Sequence, residues 1–261
     1  MEGSPKKVCA VAVPVWKRAL SRDEAMSLVQ LRCVLGRNPA YDIVLFGPER
    51  CDWGYYASLF SGLDCGDGGR FAVLAMEDRM FESRLSYSRL LCSRDFYSRF
   101  AGYGHVLVHQ LDAWVMSDRL EEWCAKGYGY VGAPWCHLCR MGRGSCAGWE
   151  SEGFVGNGGL SLRDVDAFAE MLPYGTYDDA AFGYDMNEDV YVSMVRGITR
   201  PKCGEAASFA VETDARRLIA EKLGGGRPFG FHALAGYDSE LYGMLVGESF
   251  LGAAIMERVS F

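Results

Sequence analysis

At 261 residues, 49% hydrophobic and 23% charged, the chain suits one large α/β domain or two small ones, with the make-up of a globular protein. Its net charge of -7 excludes a nonspecific nucleic-acid binder, which needs a basic surface, so no nucleic-acid partner is expected. No apolar stretch is long enough to span a bilayer, and the start MEGSPKKV lacks a signal-peptide core, so the expectation is a cytoplasmic protein whose 10 cysteines are reduced.

Residues 7–15 (KVCAVAVPV) read as a first strand, apolar on both faces as in a covered parallel sheet, with Pro14 ending it. Ser21 and Glu24 make a capping-box pattern, and Met26, Val29, Leu31, Val34 and Leu35 supply the apolar face of the helix it opens. Residues 41–46 (YDIVLF) are a second strand, stopped by Gly47-Pro48, which completes a β-α-β unit and implies a right-handed crossover. Residues 50–69 are glycine-rich and receive no assignment. Residues 71–76 (FAVLAM) are a third strand. Two helices follow over 83–92 and 93–100, with Leu85, Leu90, Leu91, Phe96 and Phe100 toward the core.

A fourth strand, around Val106-Leu107-Val108, runs into the turn Gln110-Leu111-Asp112. After it come a helix over 120–126, a strand over 128–133, and a loop over 136–153 whose length and composition suit a lid. Arg140 and Trp149 are that loop's candidate acceptor contacts. Its Cys136/Cys139 pair lacks a second well-spaced pair, so no structural zinc is expected. Residues 163–172 read as a helix, Asn187 opens another (NEDVYVSMV), 206–211 as a late strand, 227–232 (RPFGFH) as a loop, and 241–256 as an amphipathic segment. There is no internal repeat or clear linker, so 1–261 is read as a single domain with a core of about 8–238 and a C-terminal helical segment over 239–261.

Four stretches carry possible chemistry. Asp112 ends a buried strand where open α/β sheets hold ligands; it is either a turn cap or a ligand for a hard cation, with Gln110 on the same face offering an oxygen without charge. Gly156-Asn157-Gly158-Gly159 is either a tight turn or a loop that lets backbone approach a substrate. Asn187-Glu188-Asp189 suits helix capping, or sets one carboxylate toward a cleft as a general base. His232 is a structural histidine or a group that completes a metal or phosphate site.

Taken in order, an acidic strand end, a glycine loop, an xED at a helix start and a late histidine resemble the GT-A glycosyltransferase superfamily. Stretches such as YGHVLVHQLDAWV, VGNGGLSLR, NEDVY and PFGFHA are similar to a bacterial family of glycosyltransferase-like proteins of unknown function, over roughly residues 8–238. The resemblance implies an α/β fold with one Rossmann-like, mostly parallel sheet flanked by helices. It also implies transfer of a sugar from a nucleotide-sugar donor, a UDP-sugar being favoured, to a glycan or small-molecule hydroxyl, as in polysaccharide biosynthesis. By that resemblance Val13, Pro14, Val15 and Pro48 border the nucleotide, and Tyr87, Ser88 and Arg89 lie near it, Arg89 being equally suited to a surface ion pair. Gln110 and Asp112 face the diphosphate, with Asp112 and His232 holding Mn²⁺ or Mg²⁺. Gly156 to Gly159 line the sugar, and Asp189, with Glu188 as fallback, is the base of an inverting displacement. The superfamily's paired aspartates are here reduced to one, since Gln110 stands at the first position. Two other classes fit the same pattern: a catalytically inactive module that binds a nucleotide sugar or glycan, and a nucleotidyltransferase, which usually needs a glycine-rich loop after the first strand that VPVWKRALS lacks.

Overall fold

Strand β1 (Lys7–Pro14) is buried on both faces, Cys9, Val11 and Val13 in one apolar cluster and Ala10 and Ala12 in another. That two-sided burial is why KVCAVAVP shows no polar alternation. The molecule is described by a computed structural model over residues 5–59, 69–135, 155–172, 175–179 and 187–249. Strands β2 (Tyr41–Pro48) and β3 (Phe71–Met76) lie to one side of β1 and β4 (Tyr103–His109) to the other, all parallel. After the Gln110 turn the chain resumes as β5 (Ala113–Val115), which joins a second sheet. Strands β6 (Tyr130–Val131) and β7 (Leu160–Asp164) complete the first, in the order β3-β2-β1-β4-β7-β6, with β7 reversed. The sheet is thus mostly parallel, as expected.

Helices cover both faces. Helices α1 (Arg22–Val34), α2 (Trp53–Ser58) and α5 (Leu120–Ala125) pack on the first cluster. On the other face lie α3 (Arg84–Leu91), α4 (Arg94–Ser98), α6 (Val165–Met171) and α7 (Glu188–Met194). The second sheet, β5-β9-β8, is made with β8 (Ala210–Val211) and β9 (Gly230–His232). Helix α8 (Cys203–Phe209) leads into it. Helices α9 (Ala215–Lys222) and α11 (Ser239–Glu248) back it around Trp114 and Phe231, and the short α10 (Leu234–Tyr237) links β9 to α11.

The capping box at the start of α1 forms: Ser21 Oγ accepts from Glu24 N at 3.3 Å, and Ser21 N donates to Glu24 Oε2 at 2.9 Å. The buried face of α1 differs from the apolar stripe read from sequence. Ser27 and Gln30 are buried, while Met26, Val29 and Val34 are only half-buried. The cause is β5, an edge strand whose outward carbonyls need donors: Ser27 Oγ donates to Ala113 O, and Gln30 Nε2 donates to Val115 O at 2.9 Å. Leu85, expected in the core, is 39% exposed; five residues from the buried Leu90, it sits about 140° round the helix.

Four further segments are corrected. Of residues 206–211 only Ala210–Val211 is strand, because Ala206 and Ala207 favour the helix that precedes it. The presumed loop RPFGFH contains β9. Its Gly230 marks close approach and not a turn, since a Cβ there would lie 2.5 Å from both Leu160 Cδ2 and Trp114 O. Arg163 belongs to β7, not to the following helix, and the strand expected over 128–133 shortens to Tyr130–Val131. The lid-like loop 136–153 with its Cys136/Cys139 pair lies outside the described residues. None of the described cysteines is in a disulfide, and no helix among the described residues is long and apolar enough to cross a membrane.

At the amino ends of four neighbouring parallel strands Asp42 acts as a clasp. Its carboxylate, 1% exposed, accepts from Lys7 Nζ at 2.8 Å, Tyr103 Oη at 2.7 Å, and Arg70 N at 2.7 Å. Burial pushes this carboxyl up, but those hydrogen bonds outweigh it and hold it at about 2. A depressed carboxyl adds stability above its unfolded pKa, and the contribution is lost as pH falls through the folded one. Asp42→Asn is therefore expected to cost about 2 kcal/mol at pH 7, a difference that closes between about pH 4 and pH 2 when urea melts are compared.

Candidate active site

The carboxyl ends of β1 and β4 open into a cleft of about 600 Å³, within the range of small-molecule sites. One wall is aromatic. Trp16, two residues past the end of β1, is 44% exposed, and its ring lies 6.5 Å from Tyr87, which stacks in turn on Phe46 at 6.4 Å and 11°. Tyr87, Trp16, Phe81 and Arg84 line that side.

A polar corner forms the floor, and the second sheet builds it. Asp112 precedes β5, His232 ends β9 and Glu212 follows β8, so the strand order β5-β9-β8 sets the three side by side. The register pairs Ala113 with His232 and Val211 with Phe231. His232 Nε2 lies 3.1 Å from Asp112 Oδ1 and 3.3 Å from Gln110 Oε1, while Nδ1 lies 3.2 Å from Glu212 Oε1. Gln110 Nε2 in turn donates to Tyr87 Oη at 3.5 Å. Burial opposes a charge on His232, but the hydrogen bonds to Asp112 and Glu212 prevail and raise it to about 9, so it is an imidazolium at neutral pH. The same contact, against burial, holds the Asp112 carboxyl below its ordinary value. Buried His109 next door is kept neutral, burial pushing it down to about 4.

Among the described residues no three His, Cys, Asp or Glu side chains converge as a metal cluster. What converges here is one carboxylate oxygen, one amide oxygen and one imidazole nitrogen. Their separations from Nε2, 3.1 and 3.3 Å, match adjacent ligands of a six-coordinate cation, about 3 Å apart. Asp112 is 57% exposed on its side chain, leaving room for a ligand's oxygens. Once Nε2 gives up its proton, the donor set suits Mn²⁺ or Mg²⁺.

The glycine loop is shaped by what presses on it. A Cβ on Gly156 would strike the Trp135 ring at 2.2 Å, on Gly158 it would meet Glu188 Oε1 at 2.3 Å, and on Gly159 His232 Nε2 at 2.1 Å. The residue with positive φ is Asn157, at 45°, and not a glycine. The glycines are thus needed for close approach, while Asn157, a residue that tolerates the left-handed region, makes the turn. Asn157, Gly158 and Gly159 line the cleft, and Gln110 N donates to Gly159 O at 2.7 Å, tying loop to corner.

Against Gly158 of the same loop stand the two carboxylates at the start of α7. Asn187 occupies the cap position but makes no side-chain cap bond. Asp189 lines the cleft and its Oδ2 accepts from Gly158 N at 3.0 Å. Glu188 is 5% exposed and is engaged by Arg163 Nη2 at 3.2 Å and Ser88 Oγ at 3.3 Å. Burial and the adjacent Asp189 push its carboxyl up against the pull of Arg163. Arg163, wholly buried, also donates to Tyr97 Oη and Ser161 Oγ, each at 3.0 Å.

Of the residues singled out from sequence, Tyr87, Gln110, Asn157, Gly158, Gly159, Glu188, Asp189 and His232 line this one cleft, and Asp112 touches His232 at its edge. Val13, Pro14, Val15 and Pro48 are buried in the strands behind it and Gly156 packs on Trp135. Arg89 turns away, donating to Asp178 O at 3.2 Å. Trp16 and Glu212 were missed. Each follows a buried strand end, Glu212 by one residue and Trp16 by two, and a position past a strand end is what drew attention to Asp112.

No curated protein sequence matches the chain. Solved structures do. An active-site mutant of LgtC superposes with a TM-score of 0.53 at 13% identity, over 92% of this chain and 96% of that one. The apo bifunctional glycosyltransferase WbbM gives 0.59 at 11% identity, over 99% of this chain and 53% of that one. The mannosyltransferase PcManGT from Pyrobaculum calidifontis, in complex with GDP-Man and Mn²⁺, gives 0.50 at 13% identity, over 76% and 56%. These likenesses are of fold. The family model described as Protein of unknown function (DUF5672) matches residues 70–232, well over half of the sequence. The chain has the GT-A glycosyltransferase fold and belongs to the DUF5672 family.

Proposed function

We propose that this protein is a nucleotide-sugar-dependent glycosyltransferase. The observation that carries the reading is the meeting, in one cleft, of a carboxylate, Asp189, and a histidine corner, His232 with Gln110 and Asp112, bordered by the same glycine loop. An acceptor hydroxyl and a donor diphosphate need groups of these kinds on opposite sides of the reacting carbon. The donor's base stacks on the Trp16–Tyr87 wall, a UDP-sugar being the first to try, and its diphosphate lies at the corner. Asn157 to Gly159 border the sugar, and the acceptor is a glycan or small-molecule hydroxyl. PcManGT is seen with a nucleotide sugar and Mn²⁺, in keeping with this reading.

In the single displacement we infer, Asp189 takes the acceptor's hydroxyl proton as that oxygen bonds to the anomeric carbon. The bond from that carbon to the phosphate oxygen breaks, and the nucleoside diphosphate leaves with the electron pair. The His232 imidazolium stabilises the charge growing on the departing oxygen. Asp112, Gln110 and, once its Nε2 proton is given up, His232 would hold a divalent cation, which would then supply the neutralisation of the diphosphate in place of the imidazolium. Glu188 holds the loop through Arg163 and takes no proton.

A second reading, a module that binds the donor without turnover, draws on the neutral Gln110 and on the backbone N–H groups of Gly158 and Val190 that both Asp189 oxygens accept. Release of nucleoside diphosphate from UDP- and GDP-sugars, offered with Mn²⁺ and a mixture of glycan acceptors, separates the two. Release above the uncatalysed rate is expected; tight donor binding with no release favours the module.

A further inference from the structure

Glu212 is a buried carboxylate, 6% exposed, one residue beyond the end of β8. Burying a carboxylate is costly unless it is paired, and this one has its Oε1 3.2 Å from Nδ1 of His232. The contact fixes which way the imidazole faces: with Nδ1 turned to Glu212, Nε2 is aimed at Asp112 and Gln110. Gly159 closes the ring in from the loop side, where a Cβ would lie 2.1 Å from Nε2. Strand pairing of β8 with β9 supplies the same alignment from the backbone. A carboxylate on the far nitrogen of a metal-ligating histidine sets its tautomer and raises its basicity.

We propose that Glu212 is a positioning residue for the cation-binding corner, returning through His232 the negative charge that Gln110 does not bring. Among the described residues Asp112 is the carboxylate at Nε2; Glu212 makes the charge of the assembly that of a two-carboxylate site, with the second charge one residue further out. The inference rests on the reading that this corner takes a divalent cation.

The test is binding of Mn²⁺, with and without UDP, to the full chain by calorimetry or by the electron paramagnetic resonance of free Mn²⁺. Glu212→Gln keeps a hydrogen-bond acceptor and removes the charge, and is expected to weaken binding by about 10–100-fold. Gln110→Asp/Glu212→Gln, which moves the charge to the inner position, is expected to recover most of that loss. Gln110→Asp alone is measured beside it, because a carboxylate there adds affinity by itself; the charge role predicts a larger gain from Gln110→Asp in the Glu212→Gln background than in the unmodified protein, and equal gains mark a purely structural role. Circular dichroism and melting of each variant show that the fold is kept. Unchanged Mn²⁺ affinity in Glu212→Gln, or no recovery in a folded double variant, overturns the inference while leaving the cation site standing. Failure of the unmodified protein to bind Mn²⁺ under either condition overturns both.

Discussion

Asp189→Asn is expected to lower sugar transfer by about 10²–10⁴-fold, the usual share of a positioned general base, and to leave nucleotide affinity within about twofold. The amide oxygen can still accept from Gly158 N, so the loop keeps its anchor and the cleft its shape. What the amide cannot do is take the acceptor's proton. The loss should therefore fall on kcat, with KM for the donor little changed. Glu188→Gln is the control. Its effect should appear as lost stability, because Glu188 faces Arg163 and Ser88. Full transfer by Asp189→Asn, or a kcat loss confined to Glu188→Gln, would exchange the two roles.

The largest effect on stability should come from Arg163→Met. The guanidinium is wholly buried beneath the glycine loop and donates to Glu188, Tyr97 and Ser161, with Gly158 O at 3.4 Å. Its removal leaves Glu188 buried without its cation, a loss of about 3–5 kcal/mol in comparable pairs. The variant Arg163→Met/Glu188→Gln, which removes both charges, should recover part of it, because the cost is chiefly that of the orphaned carboxylate. Denaturant melts of the single and double variants measure this coupling, and a loss under about 1 kcal/mol in the single variant would contradict it. Because Gly158 also binds Asp189, this pair is how the core fixes the cleft loop.

Strands apolar on both faces made the central sheet readable, since KVCAVAVP and YDIVLF can be stable only under cover on both sides. The second sheet was not readable. Its strands have three, three and two residues, too short for any periodicity, and they exist because three distant segments pair. Consequently His232 could be singled out by its rarity, whereas Glu212, although it follows the late strand, gave no local sign that it grips His232. Asp112 was legible as a strand-end carboxylate, while its dependence on His232 rests on β5 and β9 pairing across more than a hundred residues. The glycines drew attention as sites of backbone freedom. Their reason is instead the crowding of Trp135, Glu188 and His232 against the loop, a tertiary cause with no local trace. Trp16 was hidden in plain composition: an exposed tryptophan is informative only once its neighbour proves to be a cleft.

The central claim is that the cleft between Trp16 and His232 is a nucleotide-sugar donor site. Thermal melting of the intact protein with UDP, GDP and their sugars, with and without Mn²⁺, tests it most directly. At a ligand concentration of about 100 Kd a bound nucleotide adds about 2.7 kcal/mol of stability, enough to raise Tm by several degrees. One nucleoside diphosphate is expected to do so, more strongly with Mn²⁺, and to lose the effect in Trp16→Ala. A melting temperature that no nucleotide shifts, under either condition, would contradict the account.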